Sequence, residues 1–392
     1  MTREADAADL FARRKAGHVM RSLVANLRDA NSLPYLVHHE HQPMRGVPAF
    51  ICGAGPSLSA SLPLLKRAAE VGYVFAVNAS AKAVSSVVQP DALVVRESID
   101  VSAQLDGLRA GLVALDACAS PAVWRAAESV GERGWFMAGA VQHFALCGLL
   151  GVRPIYAGPS AVTAAVALAH AWGASPIVLV GCDLAFASDG QGYARESAWG
   201  DVRGEQLPHG LVQLGGLGHM RSVVAASGQH APPEVQTTER FQAWGGDGEV
   251  TSLLTWGDQV RWLQTFAERR PDAWLYNATG AGVRVAGWRE RDFELMASEE
   301  PLYHKRSLTD DFERIDTAPA IAALLRDAEH AIAVGGGEAT PHLGCGVLEA
   351  MSAPEILAAR DEARGDAAKS IRGTWDAYAR SGQWVREVLG AV

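Results

Sequence analysis

Short, almost wholly apolar runs, each stopped by a glycine or a polar residue and separated by helical patterns, constrain this chain more than any other feature. Ala49-Phe50-Ile51-Cys52 stops at Gly53, Val74-Phe75-Ala76-Val77 at Asn78, and Ala92-Leu93-Val94-Val95 at Arg96-Glu97. Gly111 to Leu115, Gly134 to Met137, Ile177 to Val180 and Trp274 to Tyr276 continue the series, the last stopping at Asn277. Leu62 to Ala69, Ala79 to Val88, Ala161 to Trp172 and Gln259 to Arg269 read as helices between them. Strands with no polar face must be covered on both faces, and the alternating helices supply that cover. The pattern therefore predicts an α/β fold: a Rossmann-like, mainly parallel sheet with helices on both faces, plus a helical C-terminal region.

Three regions are expected. Residues 1-45 carry a helical extension, with Leu10, Ala12, Val19, Leu23, Val24 and Leu27 near helical spacing between Ala8 and Asn31. Residues 46-295 form the Rossmann-like unit. Residues 296-392 are helical, with patterns at Ala318 to Ala331, Ala353 to Ala363 and Ile371 to Leu389. This tail is expected to pack on the core or to join copies of the chain into a homo-oligomer. Ala187 to Val250 is rich in Gly, Ser, Gln and His without periodicity, and is expected to form a partly mobile lid or insertion over the site. His38-His39-Glu40-His41 has the residue types of a metal site, but adjacent side chains diverge in any regular backbone, so a solvated loop is the expectation.

Composition narrows the function classes. The formal net charge is −9, so broad attraction to nucleic acid is not expected. No apolar run reaches the roughly 18 residues of a membrane span, and the charged start lacks a signal-peptide core, so a cytoplasmic protein is expected. The five cysteines are scattered with no CxxC pair, which argues against a zinc site or a disulfide framework.

The chemistry-bearing residues lie where strands end. Gly53-Ala54-Gly55-Pro56-Ser57 sits between the first strand and the first helix. Its glycines allow a sharp turn and close approach to a ligand, and a helix start favours an anion. The same residues also make a plain tight turn, because neither the GxGxxG nor the P-loop pattern is complete. Asn78, Arg96, Glu97, Asp100, Asp183, Asn277 and Thr279 follow other strands and would meet at one edge of a parallel sheet. Ser160 can cap the helix after it or present its hydroxyl to a ligand.

Taken in order, the Gly-Ala-Gly-Pro-Ser-Leu turn, Val77-Asn78, Pro90-Asp91, the Ser160 helix, Leu179 to Phe186 and Tyr276 to Gly280 resemble one family. It joins the motility-associated-factor glycosyltransferases of bacteria to archaeal 6-hydroxymethylpterin diphosphokinases. The resemblance covers roughly Pro48 to Gly287, and its core is similar to sialyltransferases that use a CMP-sugar donor. It implies that Gly53, Ala54, Gly55, Pro56 and Ser57 hold a donor phosphate, Ala54 standing where the sialyltransferases have Asn. It further implies that Asn78 faces the nucleotide or sugar, Ser160 contacts the cytidine side and Asp183 orders the site. Of two tyrosines that assist the leaving phosphate, Phe186 replaces the first and Tyr193 matches the second. The sialyltransferase base, a His, has no counterpart: Leu253, Leu254 and Thr255 fill that region, with His209, His219 and His230 in the loop before it. The expected function is transfer of a nonulosonic, sialic-acid-like sugar from a CMP donor to a hydroxyl on a protein or small molecule, with no cofactor required. The alternatives are a diphosphokinase moving pyrophosphate from ATP to a hydroxymethylpterin, with Mg²⁺ held by Glu97, Asp100 and Asp183, or a non-catalytic nucleotide-binding protein of the same fold.

Overall fold

The computed structural model describes residues 19–37, 42–138, 147–148, 150–227, 233–298, 305–306, 308, 312–335 and 367–390. The His38 to His41 stretch, His230 and the expected helix at Ala353 to Ala363 lie outside them. A helix over residues 19–30, α1, precedes the sheet. The parallel sheet begins with β1 (Ala49–Cys52), β2 (Tyr73–Val77), β3 (Ala92–Val95), β4 (Leu112–Asp116) and β5 (Glu132–Phe136). It is completed by β6 (Ile177–Val180) and, from later in the chain, by Leu275–Asn277 and Arg289–Glu290. Each neighbouring pair of the eight strands runs parallel.

Alternation along each strand feeds two apolar layers. Phe50, Cys52, Val74, Ala76, Leu93 and Val95 enter one cluster, and Ile51, Phe75, Val77, Val94 and Leu179 the other. On the first face pack α1 and the helices α2 (Leu65–Val71), α3 (Asn78–Ser85) and α4 (Pro121–Ala126). On the second lies α5 (Ala161–Ala171), whose Ala164 and Ala165 are fully buried. Small side chains let that helix approach the strands closely. The near-continuous apolar strands are thus explained by cover on both faces.

The segment from Ala187 to Val250, expected as a partly mobile lid or insertion without periodicity, contains regular structure. It builds a second, antiparallel sheet from β7 (Arg203–Leu207), β8 (Leu211–Gly215), β9 (Val235–Gln242) and β10 (Glu249–Leu253), with α6 (Gly218–Ala226) between β8 and β9. These strands are largely exposed, so they carry Arg, Glu, Gln and Thr where a buried strand carries Val and Ile. The tight reversals use left-handed backbone, at His209 (φ 62) and Gly210 (φ 70) between β7 and β8. Helix α7 (Leu254–Glu268) follows, starting earlier than its periodic part suggested. Next come β11 (Leu275–Asn277) and β12 (Arg289–Glu290), the latter too short to show a pattern.

Helices α8 (Ala318–Gly335) and α9 (Ala367–Gly390) pair with each other. Ala320, Leu324 and Ala328 of α8 and Val385 and Leu389 of α9 share one buried cluster with Leu23 and Leu27 of α1. Thr317 fixes the approach: its hydroxyl donates to the Leu27 carbonyl at 2.9 Å, and its N–H donates to Asn31 Oδ1 at 3.0 Å. Among the described residues, no helix is long and apolar enough to cross a membrane.

Candidate functional site

The strand order is β12-β11-β6-β1-β2-β3-β4-β5. The chain leaves β1 toward β2 on one side, while β6 lies on the other, so the crevice between β1 and β6 is the switch point of the sheet. In open α/β sheets ligands bind beyond the strand ends at such a point. Two turns meet here. The Gly53–Ser57 turn follows β1, and residues 181–185 follow β6. A side chain on Gly53 would stand 2.6 Å from the Gly181 carbonyl oxygen. One on Gly55 would stand 2.1 Å from Asp183 Oδ2. Both glycines are required by this packing of turn on turn.

Asp183 joins the two turns. It is 3% exposed, and accepts from the Ser57 hydroxyl at 2.8 Å and from the Ser57 N–H at 3.2 Å. Burial pushes its carboxyl up to about 6, against the pull of the Ser57 hydrogen bonds. Gly53 N–H donates to Val180 O and Gly55 N–H to Gly181 O. The N–H groups of Gly53, Gly55 and Ser57 are therefore engaged within the protein, and Pro56 has none. At these positions the backbone braces the wall of the crevice, while Ala54 lines the cavity.

The second turn is itself clamped. Leu184 sits in left-handed backbone (φ 50), which a side chain with a Cβ seldom adopts, as does Gly181 (φ 61). Ser252 of β10 donates to the Leu184 carbonyl at 2.7 Å, and Val283 N–H donates to Asp183 O at 2.8 Å. The expected ligand contacts Asn277 and Thr279 belong to this clamp. Thr279 Oγ1 accepts from the Cys182 N–H, Asn277 Oδ1 accepts from the Thr279 N–H, and Asn277 Nδ2 donates to Val283 O. Both are buried, and neither lines the cavity; Pro56 and Ser57 do not line it either.

The cavity, about 150 Å³ and open to solvent, is lined by Gly53, Ala54, Gly55, Asn78, Glu97, Ser160, Asp183 and Tyr193 of the expected set. Asn78 opens α3 and donates to Gln104 Oε1 at 3.0 Å. Ser160 caps α5: its hydroxyl accepts from Thr163 N–H, and its own N–H donates to Thr163 Oγ1. Ala161 and Val162 also face the cavity, and first-turn N–H groups have no partner inside the helix. Arg96 does not line the cavity. Its Nε pairs with the buried Asp116 at 3.0 Å, and another of its nitrogens donates to the Gly158 carbonyl, which fixes the approach to Ser160.

Residues 192–199 roof the cavity. Ala194 N–H donates to Ala54 O and Ala198 N–H to Ala79 O, tying the roof to the ends of β1 and β2. Gln191 holds it from within by donating to the carbonyls of Tyr193 and Gly200. Tyr193 is half-buried and meets Trp256 edge-on at 5.7 Å. Burial pushes its hydroxyl up to about 12, so it stays protonated and can donate across the neutral range. Phe186 packs on Trp256 at 4.9 Å on the side of the antiparallel sheet, and does not line the cavity.

Trp199, Trp256 and Gln259 also line the cavity, and sequence reasoning missed them. Leu253, Leu254 and Thr255 carry no histidine, and the residue after them, Trp256, brings an indole to the cavity instead. His219 rests on Trp199 at 5.4 Å, whereas His209 sits exposed in the β7–β8 reversal. None of the described residues lining the cavity is Lys, Arg or His. Glu97, Asp100 and Asp183 do not converge: among the described residues no three His, Cys, Asp or Glu side chains are grouped as a metal site needs.

Residues 21–189 match the family of 6-hydroxymethylpterin diphosphokinase MptE-like proteins. Over this segment the chain is similar to that family. The segment runs from α1 through the turn after β6, so it holds the glycine turn, Asn78, Glu97, Ser160 and Asp183. It ends before Tyr193 and the antiparallel sheet. No curated protein matches the chain. Among solved structures, the fold is similar to that of a MAf glycosyltransferase from Magnetospirillum magneticum AMB-1, with a TM-score of 0.57 at 15% identity. The likeness covers 95% of this chain and 61% of that one, so the chain spans about three fifths of the glycosyltransferase. At this identity the shared property is the fold. The MptE-like segment supplies the floor of the cavity, and the following residues supply its aromatic wall.

Proposed function

We propose that this chain is a glycosyltransferase that holds a CMP-linked nonulosonic sugar in the cavity at the β1–β6 crevice and moves the sugar to a hydroxyl acceptor in the cytoplasm. The observation that carries the reading is the position of Tyr193. Tyr193, whose hydroxyl stays protonated, lines the cavity together with Ala161 and Val162 of the first turn of α5, where free N–H groups favour an anion. A phosphate held between them would break its bond to the sugar carbon as the charge on its oxygen grows. The α5 N-terminus and the Tyr193 hydroxyl would stabilise that charge. The acceptor oxygen would form the new bond to the sugar carbon and lose its proton to water, with CMP as the departing group.

Tyr193→Phe tests this. With CMP-N-acetylneuraminate as donor, CMP release by the variant should fall by about a hundredfold, as loss of one such donor does elsewhere, while CMP still binds. Unchanged release would remove Tyr193 from the reaction. Retained CMP binding with no release by either protein would favour the non-catalytic reading. The family match supports a second reading, a diphosphokinase acting on a hydroxymethylpterin. That chemistry rests on positioning and Mg²⁺. Here Asp183 is committed to Ser57, and Asp100 is exposed. This reading therefore has less support.

A further inference from the structure

The antiparallel sheet curls more than its strand order suggests. β7 and β10 are its outer strands, with β8 and β9 between them. Yet Gln206 of β7 donates to the Thr251 hydroxyl of β10 at 2.9 Å. The outer strands of a four-stranded sheet meet only when the sheet bends back on itself. The chain from Phe186 to Gly190 fills the gap that remains. Phe186 N–H donates to the Thr251 carbonyl at 3.0 Å, and Gly204 N–H donates to the Gly190 carbonyl at 2.8 Å. Sheet and segment together form a small, open barrel that bears a second cavity, of about 750 Å³. Barrel mouths are among the places where small ligands bind. The chain here separates the two cavities: Ala185 and Gly192 line the one at the crevice, and Phe186 and Gly190 line this one.

Its lining restricts the occupant. Asp189, Glu205 and Glu249 accept hydrogen bonds, and Arg203 and Arg240 donate them. Gln206 and Gln213 do both. Two cations against three carboxylates offer an anionic ligand no net attraction. The apolar side chains are few, so an apolar ligand gains little by entering. Strand addition by an extended peptide is blocked where the 186–190 segment already bonds both sheet edges. A ligand rich in hydroxyls suits all three kinds of side chain, because each hydroxyl both donates and accepts. Part of the lining is set in advance. Asp189 lies 4.0 Å from Arg203, and the bond to Thr251 holds the Gln206 amide with its oxygen left to accept. Arg240 is exposed and has no ion pair among the described residues, so its guanidinium can serve a ligand.

We propose that this barrel is a carbohydrate-binding site that takes a neutral saccharide, whose hydroxyls are shared among the arginines, carboxylates and amides of its lining. The site stands apart from the crevice and needs no nucleotide there.

NMR of the ¹⁵N-labelled full chain, titrated with maltotriose, cellotriose and chitotriose, tests it. At least one trisaccharide should shift amides of residues 186–190, 203–206 and 249–251 saturably, and leave those of the Gly53–Ser57 turn unmoved. Arg240→Ala should weaken that ligand by about tenfold, the size of one charge-assisted hydrogen bond. No shift with any of the three overturns the proposal, and this titration needs no variant to fold. Shifts confined to the crevice overturn it as well. Shifts of the barrel amides by a serine-rich peptide but by no saccharide would also overturn it, and would assign the barrel to a polypeptide. Unchanged affinity in a folded Arg240→Ala variant would remove the lining from recognition and overturn the assignment.

Discussion

Gly55 lacks a side chain because Asp183 stands where one would be. A methyl group there would meet Asp183 Oδ2 at 2.1 Å and the Gly181 carbonyl at 2.8 Å. Gly55→Ala should destabilise the chain by about 1–3 kcal/mol, the usual penalty of overpacking. Combining it with Asp183→Ala should recover part of that loss, a coupling readable in a double-mutant cycle of urea midpoints. Additive effects would mean the two turns do not touch as described. Asp183 also makes a pH prediction. Its carboxyl titrates near 6 in the fold against 3.8 ordinarily, so between these values the folded state holds a proton that the unfolded chain has released. Stability from this group is full below about pH 4 and falls as pH rises to 6, by up to about 3 kcal/mol. Asp183→Asn keeps the shape without the charge, so the gap in urea midpoint between variant and wild type should grow in the variant's favour from pH 4.5 to 7. A constant gap would contradict the shift. The glycine turn was legible in the sequence because its residue types are rare together. Its partner was not, because Ser57 and Asp183 are 126 residues apart and nothing local marks their contact.

At the scale of elements, the parallel strands were legible because burial on both faces leaves no choice but apolar residues. The antiparallel sheet was not, because exposed strands such as β9 carry a polar sequence that also suits a loop. Its anchors are few: Phe186 against Trp256, and Gly204, where a side chain would stand 2.6 Å from the Phe186 ring. Trp256 serves both the anchor and the cavity wall. Trp256→Ala should therefore lower stability by about 3–5 kcal/mol, as large-to-small core changes do, and weaken nucleotide binding as well. Hydrogen exchange should show amides of β7 to β10 opening before those of β1 and β6. Simultaneous exchange of both sheets would mean that the second sheet is not a separate unit.

For the molecule as a whole, α1 and the α8–α9 pair close one face of the parallel sheet. Helical periodicity made all three legible, but not their shared cluster, since a helix shows that it has an apolar face without showing what covers it. Thr317 ties α8 to α1 through two hydrogen bonds. A chain ending at residue 311 would expose Leu23 and Leu27, and should aggregate in size-exclusion chromatography, whereas the full chain elutes as a discrete species. The fold places every expected strand end on one edge, but of the residues there only some reach the cavity. The rest brace the turns, and residue type does not distinguish the two roles. The crevice between β1 and β6 is proposed as a cytidine-nucleotide site. Calorimetry of the full chain with CMP, and separately with ATP and Mg²⁺, tests it most directly. CMP should bind saturably without added metal, and more weakly when Trp256 is replaced by alanine. Tight binding of ATP with Mg²⁺, and none of CMP at any attainable concentration, would contradict it.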